Sequence, residues 1–259
     1  MTSAVVCIIA AGALSHWLLG PIGSNVNQCS IAPRFTTAYR DGVEDLATVK
    51  GDFYALGHIP NIIGAIDGTH VALVPPHRSE QVYRNQKSYH SMNVQMVCLA
   101  DQYISHVNAM FPGSVNDAYI LRNSSIPYVM GQLQRHRVWL LGDSAYPNLS
   151  WLLTPVRNPR TRAEELYNEA HGRTRREGQV QVPPYDRWFP ILLTKKVCQI
   201  IIACSMLHNL ALRQQVPFLQ EDGPDNGVVA AVEPVDSDEE EAEEEDIDNR
   251  DSVVQQYFQ

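Results

Sequence analysis

The feature that most constrains this chain is an apolar stretch at residues 62–74 that contains one carboxylate, Asp67. The stretch reads IIGAIDGTHVALV, and its apolar and β-branched residues are typical of a strand or hairpin buried in a core. Pro75 and Pro76 end it. A buried carboxylate is costly unless a cation or hydrogen bonds compensate its charge, so Asp67 needs a partner.

Other stretches alternate between strand-like and helix-like patterns. The sequence predicts a hairpin of strands at 91–101 and 103–113 and a further strand at 136–146. Helices are predicted at 48–57, 115–122, 162–176 and 196–212. This order of strands and helices predicts an α/β fold with a mixed sheet.

Charge divides the chain into parts. The formal net charge is -9, but residues 1–220 hold 14 acidic and 19 basic residues, whereas 221–259 are strongly acidic. This charge distribution predicts a folded part that ends at 220 and a disordered acidic tail at 221–259. Residues 1–50 show no complete helix-turn-helix pattern, so we treat them as an N-terminal extension before a folded domain at 51–220. A mildly basic domain is compatible with a polyanionic partner. Two interpretations of the tail stay open: a solubilising segment, or a DNA mimic that folds back on the basic face.

The apolar segment at 4–20 has three interpretations: a buried helix or irregular extension, a signal-like segment, or an artefact of the gene model. It lacks the positive n-region of a signal peptide. It is also short for a membrane span and is interrupted by Ser15 and His16. The five cysteines form no CxxC pair and their number is odd, which indicates a reducing intracellular compartment.

Three aspartates are candidates for a metal site. Asp67 and Asp143 each follow an apolar strand, and Asp117 precedes an apolar helical stretch. Neighbouring strands would bring such carboxylates together, and a divalent cation relieves their repulsion. Mg²⁺ and Mn²⁺ prefer oxygen ligands of this kind. Spacing alone leaves structural roles open: a turn at Asp67 or Asp143, and a helix N-cap at Asp117.

Histidines and arginines supply further candidates. His70 is close enough in sequence to share the cleft of Asp67, but a structural role in the core is favoured, and a structural hydrogen bond is expected for His208. Six arginines between 157 and 176 fit either a solvated helix face or a surface that tracks phosphates. They are Arg157, Arg160, Arg162, Arg173, Arg175 and Arg176.

Six segments of the chain resemble, in order, the motifs of the Harbinger transposase-derived nucleases. They are IIGAIDGTHVALVPP, YRNQKSYHSMNVQMVCLAD, FPGSVNDAYIL, WLLGDSAYP, YNEAHGRTRR and IIIACSMLHNLAL. The similarity runs from about Phe53 to Leu212. It implies that 51–220 is a ribonuclease H-like domain whose DDE set of acids binds divalent metal ions, Mg²⁺ or Mn²⁺. It places the first acid at Asp67, the next at Asp143, and a further metal-binding acid at Asp117.

The last acid of the family pattern is altered in this chain. The slot for a helical Glu, counted from His171, holds Gln179, and Glu177 lies two residues earlier. Two residues along a helix turn a side chain by roughly 200°, and Pro183 and Pro184 interrupt a helix. Glu177 is therefore the candidate third catalytic acid only through local remodelling of this segment.

The resemblance also implies DNA as the substrate, a nuclear location with the cytoplasm as a second one, and a separate Myb-like DNA-binding partner; it implies no membrane. Three hypotheses follow. The chain is a metal-dependent nuclease that hydrolyses DNA phosphodiester bonds; it is an inactive domesticated transposase that serves as a DNA- or protein-binding module; or it is an incomplete product without a stable function. A glutamate at position 179 would favour the enzyme, and the glutamine there favours the binding module.

Overall fold

The computed structural model describes residues 43–178, 194–216 and 248–258. The predictions for 1–42, for Gln179, for Pro183 and Pro184, and for most of the acidic tail concern residues outside these ranges. Among the described residues, no helix is both long enough and apolar enough to cross a membrane.

Strands and helices alternate along the described ranges. The strands are β1 (Ile62–Ala72), β2 (Ser91–Cys98), β3 (Ile104–Pro112), β4 (Trp139–Leu141) and β5 (Leu152–Leu153). The helices are α1 (Val43–Gly57), α2 (Asp117–Arg122), α3 (Ile126–Leu133), α4 (Arg162–Gly178), α5 (Thr194–Arg213) and α6 (Asp248–Tyr257). Short 3-10 turns lie at Glu80–Tyr83 and Gln134–His136.

The five strands form one mixed sheet in the order β3-β2-β1-β4-β5. β2 is antiparallel to both β1 and β3, while β4 runs parallel to β1 and β5 runs parallel to β4. β2 and β3 are the predicted hairpin, and its tight turn includes Gln102 at a left-handed φ of 67°. The prediction of a ribonuclease H-like mixed sheet flanked by helices is confirmed.

Helices cover both faces of the sheet. On one face, which we call the α2/α3 face, Ile66 of β1 packs in one cluster with Leu121 of α2. On the other, the α4/α5 face, Val94 of β2 packs with Val197 of α5. Near β4 and β5 this second face is covered by α4 and α6, with Tyr167 fully buried. The strands are therefore enclosed, which explains why their sequences are so apolar.

Several element boundaries differ from the predicted ones because strand pairing decides them. β1 is one continuous strand rather than a hairpin, since β2 pairs with it from Ala65 to Ala72. Asp67 consequently lies inside a strand and not at its end. β4 ends at Leu141, so Asp143 lies in the loop two residues beyond it. The helical period of α3, in which Ile126, Val129, Met130 and Leu133 are buried, was missed, whereas β5 has only two residues and shows no period.

The end of the predicted acidic tail is ordered. α6 buries Val253 and Val254 in the cluster that includes α4. The ring of Phe258 meets that of Tyr167 edge-on, with ring centroids 5.7 Å apart. The expected disorder of 221–259 therefore does not extend to 248–258, because apolar side chains follow the acidic run and give these last residues a surface that packs.

Candidate active site

Asp67 lies within β1, and Asp143 lies in the loop just after β4, the parallel neighbour of β1. Ala65 of β1 pairs with Leu141 of β4, and each is followed two residues later by an aspartate, Asp67 and Asp143. Because the two strands are adjacent and run in the same direction, this register brings both aspartates to the same part of the sheet. The structure thus brings together the two acids that the sequence singled out first.

The Asp67 carboxyl group is partly withdrawn from water, with 42% of its side chain exposed. Its pKa is raised to about 6, chiefly by burial and also by the charges of Asp143 and Asp117. Two groups act the other way and lower the pKa: the Arg175 guanidinium and the backbone N–H of Gly68. A further cation beside Asp67 and Asp143 would relieve the repulsion between their carboxylates.

Arg175 is a positively charged partner of Asp67. Its Nη2 donates to Asp67 Oδ1 at 3.0 Å, and only 18% of its side chain is exposed. It extends from α4, which is anchored by the buried side chains of His171 and Thr174. The packing of α4 therefore places the Arg175 guanidinium beside Asp67, near the middle of β1. Sequence reasoning grouped Arg175 with phosphate-binding arginines and missed this ion pair, because 108 residues separate the two side chains.

Asp117 approaches β1 from the other side. It is the first residue of α2, and the N-cap is Asn116, whose Oδ1 accepts a hydrogen bond from the Tyr119 backbone N–H at 2.8 Å. The cap interpretation of Asp117 was therefore wrong by one residue. The Asp117 carboxylate lies directly over Gly68, since a Cβ at that position would stand 2.6 Å from Asp117 Oδ1. Only glycine permits this approach.

Asn93 of β2 holds the Asp117 carboxylate in place. Its Nδ2 donates to Asp117 Oδ1 at 2.7 Å and to the Val115 carbonyl oxygen at 2.9 Å. Burial raises the pKa of Asp117, the hydrogen bond from Asn93 lowers it, and the charge of Asp143 raises it. Asp117 is thus an ordered acid with an amide partner rather than a free surface group.

Asp67 and Asp117 lie on opposite faces of β1. Successive side chains of a strand alternate between faces, and the Cα of Gly68 faces Asp117 on the α2/α3 face. Asp67 therefore points to the α4/α5 face, where Arg175 reaches it. The strand itself stands between the two carboxylates.

This arrangement tests whether the residues present fit a metal ion. Within the described ranges, no three His, Cys, Asp or Glu side chains converge as a metal-binding group. Asp67 and Asp143 remain as a carboxylate pair, and such a pair fits Mg²⁺ or Mn²⁺, which keep several waters and need only one or two protein carboxylates. Asp117 as a direct metal ligand stays a prediction, one that its position on the other face does not favour.

Tyr146 and Gln95 form a buried polar pair on the α2/α3 face. Gln95 Nε2 donates to the Tyr146 hydroxyl at 3.4 Å. Burial raises the pKa of Tyr146 well above its usual value, and the nearby charge of Asp117 adds to the rise, so the phenol stays protonated. Sequence reasoning missed this pair, although Asn93 and Gln95 at alternate positions of an otherwise apolar strand were a signal for it.

Glu177 lies on α4 and is exposed. It comes two residues after Arg175, so its side chain leaves the helix roughly 200° away from the one that contacts Asp67. The structure does not bring Glu177 to the aspartate pair, and its catalytic role stays a prediction. Gln179 lies outside the described residues.

His70 and His208 make structural hydrogen bonds. His70 Nδ1 and Ser91 Oγ are 2.9 Å apart, on the face of β1 opposite to Asp67. His208 Nε2 lies 2.9 Å from the Gln102 carbonyl oxygen and ties α5 to the hairpin turn. The structural interpretation of both histidines is confirmed.

The six arginines between 157 and 176 do not form a single surface. One is the partner of the buried acid described above, and Arg162 pairs with Glu165 along α4 at 3.0 Å. Arg157 Nη2 donates to the Ser144 carbonyl oxygen at 3.2 Å, next to Asp143. The other exposed members are Arg160, Arg173 and Arg176. The exposed guanidinium groups are thus available to solvent, and that of Arg157 lies next to Asp143.

Comparison with known proteins agrees with the motif order. Residues 66–209 match the sequence model of the family described as DDE superfamily endonuclease. The Bos taurus protein named "Putative nuclease HARBI1" is 33% identical over 183 residues, which are 63% of this chain and 50% of that protein. The Homo sapiens protein of the same name is 32% identical over 186 residues, 64% of this chain and 50% of that protein.

A plant relative extends the comparison. The Arabidopsis thaliana protein ALP1-like is 29% identical over 199 residues, 68% of this chain and 49% of its own length. This chain therefore spans about half the length of the curated relatives it matches. No solved structure matches it significantly. These matches confirm the resemblance that the six sequence motifs indicated.

Proposed function

Because this chain belongs to the DDE superfamily endonuclease family, we propose that it is a divalent-metal-dependent nuclease that hydrolyses DNA phosphodiester bonds. The observation that supports this most directly is the pairing of Ala65 with Leu141, which sets Asp67 beside Asp143. One carboxylate within β1 and one in the loop just after the adjacent parallel strand β4 offer the oxygen ligands that Mg²⁺ and Mn²⁺ prefer. One of these ions is the proposed cofactor.

In the proposed reaction a water oxygen forms a bond to phosphorus, one ester P–O bond breaks, and a proton is delivered to the departing oxygen. A divalent cation supplies, when bound, the positive charge that activates water and stabilises the departing oxygen. Asp67 and Asp143 would hold it through their carboxylate oxygens, and Asp67 must be ionised to do so. The bond from Arg175 to Asp67 Oδ1 orients that carboxylate. Exposed arginines, Arg157 among them, would hold the DNA backbone.

Asp117 is proposed to assist without binding the ion. It lies behind β1, ordered by Asn93, and its charge acts on Asp67 across Gly68. A carboxylate in this place makes the region more negative and so favours a cation beside Asp67 and Asp143.

The cellular setting is also a proposal. An Arabidopsis thaliana relative is named Antagonist of Like Heterochromatin Protein 1, and this name supports a nuclear location, with the cytoplasm as a second one. A Myb-like partner that supplies DNA binding rests on the family resemblance alone.

A second candidate function is a DNA- or protein-binding module without catalysis. Two observations favour it: Arg175 already neutralises Asp67, and Glu177 is exposed on another side of α4. The position that the family resemblance assigns to the last glutamate holds Gln179. A module of this kind would bind DNA and leave it uncut.

Nicking of supercoiled plasmid by the purified full chain, with Mn²⁺ or Mg²⁺, distinguishes the two functions. The nuclease proposal expects nicked product that both Asp67→Ala and Asp143→Ala abolish, while Glu177→Gln shows whether that acid takes part. If the folded wild type is inactive and Gln179→Glu is active, the scaffold is silenced at one position. If neither form cuts while DNA is still bound, the nuclease proposal is wrong and the binding module is supported.

A further inference from the structure

A pocket opens beside Asp143 and has a volume of about 370 Å³. Its walls come from the loop after β4, from the loop after β5, and from α6 at the end of the chain. Ser144, the residue that follows Asp143, forms part of the rim. The pocket therefore adjoins the aspartate pair through the loop that contains Asp143 and Ser144. A volume of this order can hold a small polar ligand, such as one nucleotide unit of a DNA strand.

The described residues that line this pocket are positively charged or neutral. Arg157 and Arg250 provide two guanidinium groups, Asn148, Asn158 and Ser144 are among the neutral polar residues, and none of the described lining residues is acidic. Guanidinium groups match the geometry of phosphate oxygens and can donate two hydrogen bonds to one group. The composition of the lining thus fits an anion with several acceptor oxygens.

Arg250 retains hydrogen-bonding capacity in this pocket. Its Nη1 donates to the Pro155 carbonyl oxygen at 3.4 Å, and only 19% of its side chain is exposed. Its Nε is buried without a hydrogen-bond acceptor among the described residues, although Asp251 Oδ1 stands 3.5 Å away as a charge partner. The guanidinium group has five N–H donors, of which the bond to Pro155 uses one, so it can still donate to an acceptor in the pocket.

α6 holds Arg250 in a defined position. Val253 and Val254 anchor the helix in the core, and Asn249 Nδ2 donates to the Ser150 carbonyl oxygen at 2.6 Å. In the loop after β5, Arg157 donates to the Ser144 carbonyl oxygen. Both arginines are therefore oriented before any ligand arrives. Arg250 lies outside residues 66–209, the part that matches the family.

We propose that this pocket binds a phosphate of the DNA strand next to the phosphate that Asp67 and Asp143 act on. This inference rests on the proposed function, since it assigns the pocket to the same DNA strand. Arg157 and Arg250 bind the phosphate oxygens from two sides, and the neutral donors complete the site. The last helix of the chain is thereby part of the DNA-binding surface.

Fluorescence anisotropy of a labelled DNA duplex, measured without divalent ions so that nothing is cut, tests the proposal. Arg250→Ala in the full chain is expected to weaken binding and to lower the slope of log affinity against log salt by about one, between about 50 and about 200 mM salt. Arg157→Ala, in the loop after β5, is expected to do the same. Arg250→Lys keeps the charge and should keep most of the slope.

The control variant is Arg135→Ala, which removes an exposed arginine from the turn before β4, at the far end of that strand from Asp143. It should leave the slope unchanged. Arg250→Ala could weaken DNA binding simply by loosening α6. Arg157→Ala does not alter α6, so it tests the pocket independently. If neither Arg250→Ala nor Arg157→Ala changes the salt dependence of DNA affinity, this inference is wrong. The proposed function still stands in that case, provided that the wild type binds DNA. Absence of DNA binding by the wild type overturns both.

Inorganic phosphate distinguishes a DNA phosphate from a free one. If phosphate raises the melting temperature of the wild type but not of Arg250→Ala, while both bind DNA with the same slope, the pocket serves free phosphate and the DNA assignment is wrong.

Discussion

At the residue scale, one carboxyl group sets the pH behaviour of the site. Burial, together with the charges of Asp143 and Asp117, raises the pKa of Asp67 to about 6. An ordinary aspartate is ionised from about pH 4 upward, whereas Asp67 becomes fully ionised only above its raised pKa. Cation binding at Asp67 therefore depends on pH at values of about 6, a range accessible to binding measurements.

We expect the Mn²⁺ affinity of the full chain to fall as the pH drops through about 6, because the ion must then displace a proton from Asp67. Well below that pH the loss should approach about tenfold per pH unit. Calorimetric titration with Mn²⁺ from about pH 5 to about pH 8 measures it. Asp67→Asn should bind more weakly and lose this dependence. Equal wild-type affinity at both ends of the range would show that the Asp67 pKa is not raised.

Removal of the Arg175 charge should raise the Asp67 pKa further. The guanidinium is one of the groups that lower this pKa, through its contact with Asp67 Oδ1 at 3.0 Å. In Arg175→Met, a carbon-13 NMR titration of aspartate carboxyl groups is expected to place Asp67 above its wild-type value. Arg176→Met is the matched control, because Arg176 is exposed and turned away by roughly 100°. An equal shift in both variants would mean that the ion pair is not the cause.

At the element scale, the approach of α2 to β1 depends on a missing side chain. Gly68 lets the first residue of α2, Asp117, lie against the strand that carries Asp67. The same approach lets Asn93 of β2 reach the Asp117 carboxylate. The first residue of α2 thus contacts both β1 and β2 beside Gly68, where there is no room for a Cβ.

Gly68→Ala is expected to destabilise the protein by roughly 1–3 kcal/mol, since the new methyl group would meet Asp117 Oδ1 at 2.6 Å and force α2 to shift. Urea unfolding at neutral pH measures the change. Gly51→Ala in α1 is the control: no atom lies within 4 Å of its added methyl group, and alanine should gain roughly 0.5–1 kcal/mol in a helix. If Gly68→Ala proves as stable as the wild type, the close approach of α2 is incorrect.

At the scale of the whole molecule, positive and negative charge are separated along the chain. Residues 1–220 hold more basic than acidic residues, while 238–246 contain eight acidic residues. Arg250 lies just beyond that acidic run and belongs to the pocket beside Asp143. The end of the chain therefore combines a strongly acidic stretch with a helix that contributes a positive charge to the pocket.

Replacement of the acidic residues at 238–246 by their amides is expected to tighten DNA binding at low salt, because fewer negative charges then repel the duplex or compete with it. The difference should shrink as salt rises and vanish near 1 M, where the Debye length is about 3 Å. Anisotropy across a salt series measures it. Substitution is preferable to deletion of 221–259, since deletion would also remove α6. Unchanged affinity at low salt would leave the run a solubilising segment only.

By itself, the sequence determined the elements whose patterns are local. The apolar run at 62–74 predicted β1, and two strand-like stretches joined by a tight turn predicted the β2–β3 hairpin. Helix propensity predicted α4, and a long apolar stretch predicted α5. The order of the motifs was enough to identify Asp67 and Asp143 as candidate acids. These inferences succeed because periodicity, turn chemistry and motif spacing are written within short stretches of the chain.

Only the tertiary structure decided which groups meet. The packing of α2 over Gly68 places Asp117 on one face of β1, whereas the alternation of the strand turns Asp67 to the other face. Arg175 reaches Asp67 across 108 residues, and Arg250 reaches Pro155 across 95. Such contacts depend on how separate elements pack, and no local pattern encodes that packing. The candidate acids Asp67 and Asp143 could therefore be proposed from the sequence, whereas the contacts of Arg175 and Arg250 could not.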